Sequence, residues 1–218
     1  MIQPASIFIV DDHPLVRRGL RQLIEGEPEF SVYGEAANVH ETLMLITPPT
    51  PPDLAIIDLS LPDGNGLDLI KRLIARFPDF LILISSMHDE SMFAERALKA
   101  GAKGYINKQA SGDDLIDAIK QILNGKIYFS PQVLEHFSQK NASLDQLQEQ
   151  YPIQKLSDRE LEVFEYIGQG LGTGEIARKL NLSIKTVESH RANIKRKLGL
   201  ASAGELTRRA IQWSLEPN

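Results

Sequence analysis

Apolar side chains along the first half of the chain fall into two alternating patterns. Short continuous runs such as Ile7, Phe8, Ile9 and Val10 give way to stretches in which Leu, Ile, Val and Ala return every third or fourth position. The first pattern is that of a strand buried on both faces and the second that of a helix with one apolar side. Read this way, strands are predicted at residues 7–10, 31–33, 54–57, 81–85 and 104–106, and helices at 15–25, 39–46, 67–76, 91–99 and 113–123. Strands alternating with helices predict an α/β domain built on a doubly wound, five-stranded parallel sheet. Asn38 with Glu41, and Ser111 with Asp114, set a capping side chain three residues ahead of an acid, which marks a helix start. The run "TPPTPP" (47–52) ends the second helix, because proline has no N–H and disfavours helical geometry in its predecessor.

From about residue 124 to 155 the texture turns polar and Gln-rich, which predicts a linker carrying one short helix near 131–137. Beyond it every apolar pattern is helical. Ser157 with Glu160 opens a helix whose Leu161, Phe164 and Ile167 share a face; residues 175–180 and 184–198 form two more; Ser202 with Glu205 starts a fourth, carrying Leu206, Ala210 and Trp213. The expected organisation is a first domain over 1–124, a linker over 125–155 and a small all-α four-helix domain over 156–218.

Charge sharpens that division. Residues 1–151 hold 13 Lys+Arg against 21 Asp+Glu, net −8, whereas residues 152–218 hold 11 against 8, net +3. A mildly basic module joined to an acidic one fits a nucleic-acid reader, although +3 alone also fits an ordinary solvated surface. The 218 residues contain no cysteine, which removes disulfides, thiolate metal sites and cysteine nucleophiles. No apolar run approaches the roughly 20 residues of a membrane span. A cytoplasmic protein without a membrane partner is expected.

The acids of the first domain gather at strand ends. Asp11 and Asp12 follow the first strand, Asp58 the third, Ser85 and Ser86 close the fourth, and Lys108 follows the fifth. In an open α/β sheet those ends share one rim, where ligands bind. Three carboxylates there repel one another unless a cation sits among them, and an oxygen-rich site suits Mg²⁺. A carboxylate can attack phosphorus, the lysine can pair with phosphoryl oxygens, and a serine hydroxyl can hydrogen-bond to another. Taken singly, each residue has an ordinary explanation as a turn, cap or surface group. Their convergence points to chemistry. His13 and His88 lack partners at metal-ligand spacing and read as local surface or loop residues.

In the second domain, Ser183 caps the 184–198 helix after a tight turn. Ile184, Val187, Ile194 and Leu198 are expected on its inner face, with Lys185, Glu188, Ser189, Arg191, Ala192, Lys195 and Arg196 on the outer one. Such a helix suits the major groove, and it equally describes an amphipathic surface helix. The glycines of "GQGLGTGE" (168–175) do not have nucleotide-loop spacing and follow a helix, so they predict no phosphate loop.

The segments "IFIVDDHPLVRRGL", "DLAIIDLSLPDGNGLDLI", "LILISSMHDE" and "ALKAGAKGYINK" resemble the receiver domain of two-component response regulators, with its flavodoxin-like fold. "LSDRELEVF" and "GQGLGTGEIARKLNLSIKTVESHRANIKRKLGL" resemble the LuxR-type helix-turn-helix, so the whole chain resembles the NarL/FixJ type. The resemblance implies that Asp58 takes a phosphoryl group from a histidine kinase, and that Asp11, Asp12, Asp58 and the Ser60 carbonyl hold Mg²⁺. It further implies that Lys108 contacts the phosphoryl group, and that Ser86 and Tyr105 are the switch residues. On the output side, Glu188, Ser189 and Ala192 would touch bases, Lys185, Thr186 and Lys195 phosphates, and Arg191 guanine or phosphate. His190 would pack against a neighbouring helix, and the last helix would join a homodimer on inverted half-sites of double-stranded DNA. Gly174 departs from the polar residue common there in the family.

Two other readings compete. An aspartyl-phosphate phosphohydrolase would use the same nucleophile and metal, but no second Asp stands two residues after Asp58 to act as general acid. A DNA binder indifferent to phosphorylation would use the first domain only to dimerise.

Overall fold

A computed structural model describes residues 3–139 and 152–215. Close contacts divide the chain into two compact units, Met1–Ser138 and Gln139–Asn218.

The first unit is a parallel sheet in the order β2-β1-β3-β6-β7, formed by β1 (Ala5–Val10), β2 (Phe30–Ala36), β3 (Leu54–Ile57), β6 (Leu81–Ser86) and β7 (Gly104–Asn107). Helices α1 (Pro14–Glu25), α2 (Val39–Leu45), α3 (Gly66–Arg76) and α4 (Glu90–Ala100) lie in the connections between them, and α5 (Gly112–Leu123) follows β7. Alternate strand residues Ile7, Ile9, Leu54, Ile56, Leu83 and Ile106 pack against Leu20 and Ile24 of α1 and Leu115, Ile119 and Ile122 of α5. The two-residue period of the strands thus meets the helical period of the flanking segments in one core. Register then fixes the rim: Val10 pairs with both Ala36 and Ile57, Ile57 with Ile84, and Ser86 with Asn107. The strands finish level, so the residue after each finish lands on the same edge.

The observed strands extend beyond the expected ones by one to three residues at several ends, where paired backbone continues past the apolar run. The Ser111 and Asp114 capping box forms as expected. At α2 the Asn38 side chain accepts the Glu41 N–H, but the Glu41 carboxylate takes the N–H of Ala37 instead of Asn38. A small antiparallel ladder, β4 (Ser60–Leu61) with β5 (Gly64–Asn65), was not expected, since two-residue strands leave no periodic signal.

The expected linker is corrected at its start. Tyr128 donates its N–H to Lys103 O at 2.9 Å and accepts from Tyr105 N at 2.8 Å, forming a parallel bridge beside β7. Polar Asn124 and Gly125 form only a turn, and α6 (Pro131–Gln139) follows. The remaining linker, residues 140–151, lies outside the described residues.

The second unit begins with a 3-10 turn (Pro152–Lys155) and continues as α7 (Asp158–Gly168), α8 (Thr173–Lys179), α9 (Ile184–Leu198) and α10 (Ala203–Leu215). Both members of the Ser157 and Glu160 box are made, and Ser183 caps α9. Leu161, Phe164, Ile167, Ile176, Val187, Ile194, Leu206 and Ala210 are buried. The Trp213 ring lies 5.8 Å from that of Phe164, tying α10 to α7. One expected inner position is wrong: Ile184 is 57% exposed.

Candidate functional site

The rim of the sheet carries a compact charged cluster. Asp11 N–H binds Ala36 O at 3.1 Å and Asp58 N–H binds Val10 O at 2.8 Å, so main-chain bonds continue past the strand ends and hold both acids. Lys108 N–H is likewise anchored on Ser86 O at 2.9 Å. Its Nζ bridges Asp11 Oδ2 and Asp58 Oδ2, each at 2.6 Å, with all three side chains largely buried. Asp11 Oδ1 accepts the His13 N–H at 2.8 Å, and Asp58 Oδ1 accepts the Ser60 N–H at 3.2 Å. Burial pushes the Asp58 carboxyl above its ordinary value, against the pull of Lys108. Burial also weighs on the Lys108 ammonium, but Asp58 and Asp11 together more than offset it and hold the lysine charged. One ammonium stands among three acids and bridges two of them.

That imbalance tests the metal expectation. Asp11, Asp12, His13 and Asp58 each offer one ligand atom, all within 4.8 Å of one another. Asp12 Oδ1 is shielded from solvent, with His13 Nδ1 2.5 Å away. Three carboxylates and an imidazole nitrogen converging this closely around a single lysine ammonium are a fit for a hard divalent cation. His13 is the exposed residue expected, yet its ring nitrogen lies among these acids, so it does have partners at ligand distance.

Behind the cluster lies a buried polar chain. Ser86 Oγ accepts the His88 N–H at 3.3 Å, the Tyr105 hydroxyl donates to His88 O at 2.9 Å, and a ring nitrogen of His88, Nε2, sits 2.9 Å from Ser60 Oγ. His88 is 2% exposed with its ring 4.8 Å from that of Phe93, which corrects its reading as a surface residue. Nothing local in "SSMHDE" distinguishes a buried histidine from a loop one. The β4–β5 ladder returns the chain to α3, where a Cβ on Gly66 would lie 2.4 Å from Asp58 O and 2.6 Å from Leu59 Cα. Glycine there serves close helix-to-strand approach at Asp58 itself. Gly64 has a Val39 methyl 3.0 Å from where its Cβ would stand, so it too serves packing more than room for a ligand.

In the second unit α8, the turn and α9 form a helix-turn-helix. Leu182 N–H reaches Ala177 O at 2.8 Å, and Asn181 takes the positive φ of 52° that the turn needs. Lys185, Glu188, Ser189 and Ala192 are exposed; Thr186, Arg191 and Lys195 are partly so. Ser189 Oγ donates to Lys185 O at 2.9 Å, and Thr186 Oγ1 lies 2.7 Å from Ser183 Oγ, so both hydroxyls are engaged within the helix start. Lys197 is turned inward onto Glu160 at 2.6 Å, which together with the Ser157 bonds holds that carboxyl below its usual range despite burial. His190 is half-buried as expected; burial chiefly lowers its pKa, Glu160 opposing and Arg159 assisting.

An aspartate-rich rim at the strand ends of a five-stranded parallel sheet, followed by a helix-turn-helix, defines a receiver-type DNA-binding regulator as a class. Residues 7–120 match the response regulator receiver domain, and residues 154–210 match the luxR family of bacterial regulatory proteins. The chain is 36% identical over 214 residues to the oxygen regulatory protein NreC of Staphylococcus carnosus, covering 96% of this chain and 98% of that one. It is 36% identical over 197 residues to the DNA-binding transcriptional activator DevR/DosR of Mycobacterium tuberculosis, covering 89% and 88%. Among solved structures, RcsB of Salmonella enterica serovar Typhimurium, bound to promoter rprA with the phosphomimetic BeF3-, is 28% identical and superposes with a TM-score of 0.63 over 96% of this chain and 99% of that one. The chain therefore belongs to the NarL/FixJ-type two-component response regulators, a family of phosphorylation-regulated transcription factors and not of conventional enzymes.

Proposed function

We propose that Asp58 is the phosphoacceptor, and that its modification controls promoter binding by α9. A carboxylate oxygen of Asp58 attacks the phosphorus of a kinase phosphohistidine; the O–P bond forms, the N–P bond breaks, and the imidazole retains the leaving pair. Acyl phosphates of low molecular weight would serve the same step. Asp11, Asp12, Asp58 and the Ser60 carbonyl would hold Mg²⁺, which neutralises charge on the transferring group. Lys108, already on Asp58 Oδ2 at 2.6 Å, is positioned to move onto a phosphoryl oxygen. Ser86 Oγ would give up the His88 N–H to bind another, and because the Tyr105 hydroxyl rests on His88 O, displacement of that loop carries to the tyrosine.

The output would be DNA binding as a homodimer joined through α10 on inverted half-sites; the promoter-bound RcsB structure supports the DNA partner. Glu188, Ser189 and Ala192 would face bases; Lys185, Thr186 and Lys195 phosphates; Arg191 either. A cytoplasmic location follows from that DNA partner, and no described helix is long and apolar enough to cross a membrane. The observation that carries the reading is the Lys108 bridge between two buried aspartates, with a third carboxylate, Asp12, converging on the same point. Its test is intact mass and operator-length DNA affinity with and without acetyl phosphate and Mg²⁺. A phosphoryl mass gain with tighter binding, both lost in Asp58→Asn, is expected; equal tightening in Asp58→Asn overturns it.

A further inference from the structure

We propose that Ile184 reads a base: its side chain recognises the C5-methyl group of a thymine in the major groove. This rests on α9 being the groove-entering helix. Ile184 is the first residue of α9, directly after the Ser183 cap, and is 57% exposed. Val187 and Ile194, by contrast, have no exposed surface. At about 100° per residue, Ile184 lies on the flank shared with Glu188, Arg191 and Lys195, four, seven and eleven positions on. An apolar side chain therefore stands in the row of groups that face outward.

Isolated exposed apolar residues are ordinary on protein surfaces, so exposure alone says nothing. Position is what separates this one. The N-terminal residues of a recognition helix are those that reach base edges. The hydroxyls in the first turns of α9 are engaged within the helix start, Thr186 Oγ1 with Ser183 Oγ at 2.7 Å and Ser189 Oγ with Lys185 O at 2.9 Å. Isoleucine cannot bind phosphate, and its β-branched χ1 is stiff, so little rotamer freedom is lost on contact. In the groove the one apolar feature among the standard bases is the thymine methyl. Any other base edge would lose water against Ile184 without gaining a partner.

The same flank suggests a spacing. Glu188 is a natural acceptor for a cytosine amino group. Four residues along a helix cover about 6 Å, close to two base steps at about 3.4 Å each. The thymine should therefore lie within about two base pairs of the cytosine read by Glu188.

The experiment uses the full chain, phosphorylated with acetyl phosphate and Mg²⁺, to select sequences from random duplex DNA. Each thymine of the selected half-site is then replaced by uracil, which removes the methyl and nothing else. Wild type should lose about four-fold in affinity at one thymine, the worth of one buried methyl. Ile184→Ala should bind the thymine duplex about as weakly as wild type binds the uracil duplex, and be indifferent to that replacement. Trp213 fluorescence unfolding checks that the variant is folded, which an exposed position should preserve. Wild type indifferent to every uracil, or Ile184→Ala retaining the full loss, overturns the inference while leaving the DNA-binding reading intact. Failure to bind any duplex in either phosphorylation state overturns both.

Discussion

Lys108 makes two ion pairs at 2.6 Å to aspartates with almost no exposed surface, and its own exposure is only 9%. Removing one partner of such a set strands the others, which costs more than the pair contributes. Lys108→Met should therefore lower stability at pH 7 by about 3 kcal/mol, read as a shift of the urea midpoint in metal-free buffer. Millimolar Mg²⁺ should recover part of the loss, since a divalent ion can screen Asp11 and Asp58 in place of the ammonium. A midpoint unmoved by the substitution, or by Mg²⁺ in the variant, would contradict this account. The same residue explains why Asp58 can be buried at all: an acid whose ionised form burial disfavours is tolerated because the lysine stands on it.

At the level of elements, two packing relations carry testable consequences. The first is the approach of α3 to β3, where Gly66 leaves no room for a Cβ against main-chain atoms that cannot rotate away. Gly66→Ala should cost about 3 kcal/mol and shift the amide signals of Asp58 and Leu59; a neutral, silent substitution would refute it. The second is the junction of α7 and α9, where Glu160 caps its own helix through the Ser157 N–H and binds Lys197 of α9. Both Glu160 and the neighbouring His190 have pKa values below their ordinary 4.5 and 6.5. In each case the folded state binds fewer protons than the unfolded one, so stability falls as pH falls. Unfolding followed by Trp213 fluorescence should lose stability in two limbs, one below about pH 6.5 for His190 and one below about pH 4.5 for Glu160. His190→Gln should flatten the upper limb. Lys197→Met should weaken the lower one and cost roughly 2 kcal/mol at pH 7. Stability that rises on acidification would reverse the assignment.

For the molecule as a whole, the division of charge, −8 before residue 152 and +3 from there on, agrees with the luxR-family match in placing the anionic partner on the second unit. Neutralising DNA phosphates releases counterions, so affinity must fall with salt in proportion to the number of contacts. Lys185→Ala and Lys195→Ala should each reduce the slope of log affinity against log salt by about 0.9. They should weaken binding alike for selected and unrelated duplexes, because a phosphate contact carries no sequence information. Fluorescence anisotropy across a salt series measures this. An unchanged slope would move those lysines off the phosphates, whereas a loss confined to the selected duplex would make them base readers.

Much of this was legible before any coordinates. Continuous apolar runs and helical repeats each encode a local geometry, and that is why five strands, their helices and the residues at the strand ends could be read directly. The acid pair, Asp58 and Lys108 were legible for the same reason, since parallel strands must present their carboxyl ends together. Chain order says less about groups whose setting depends on what folds over them. His88 in "SSMHDE" could be solvated or enclosed, and only the packing of Phe93 and Ser60 around it makes it buried. Lys126 to Phe129 reads as polar linker until Tyr128 finds the free edge of β7. Ile184 carries the periodicity of a core residue, yet at the start of α9 it is left 57% exposed while Val187, three residues on, is fully buried. Periodicity records which side chains can be buried; long-range packing, absent from any local window, settles which ones are.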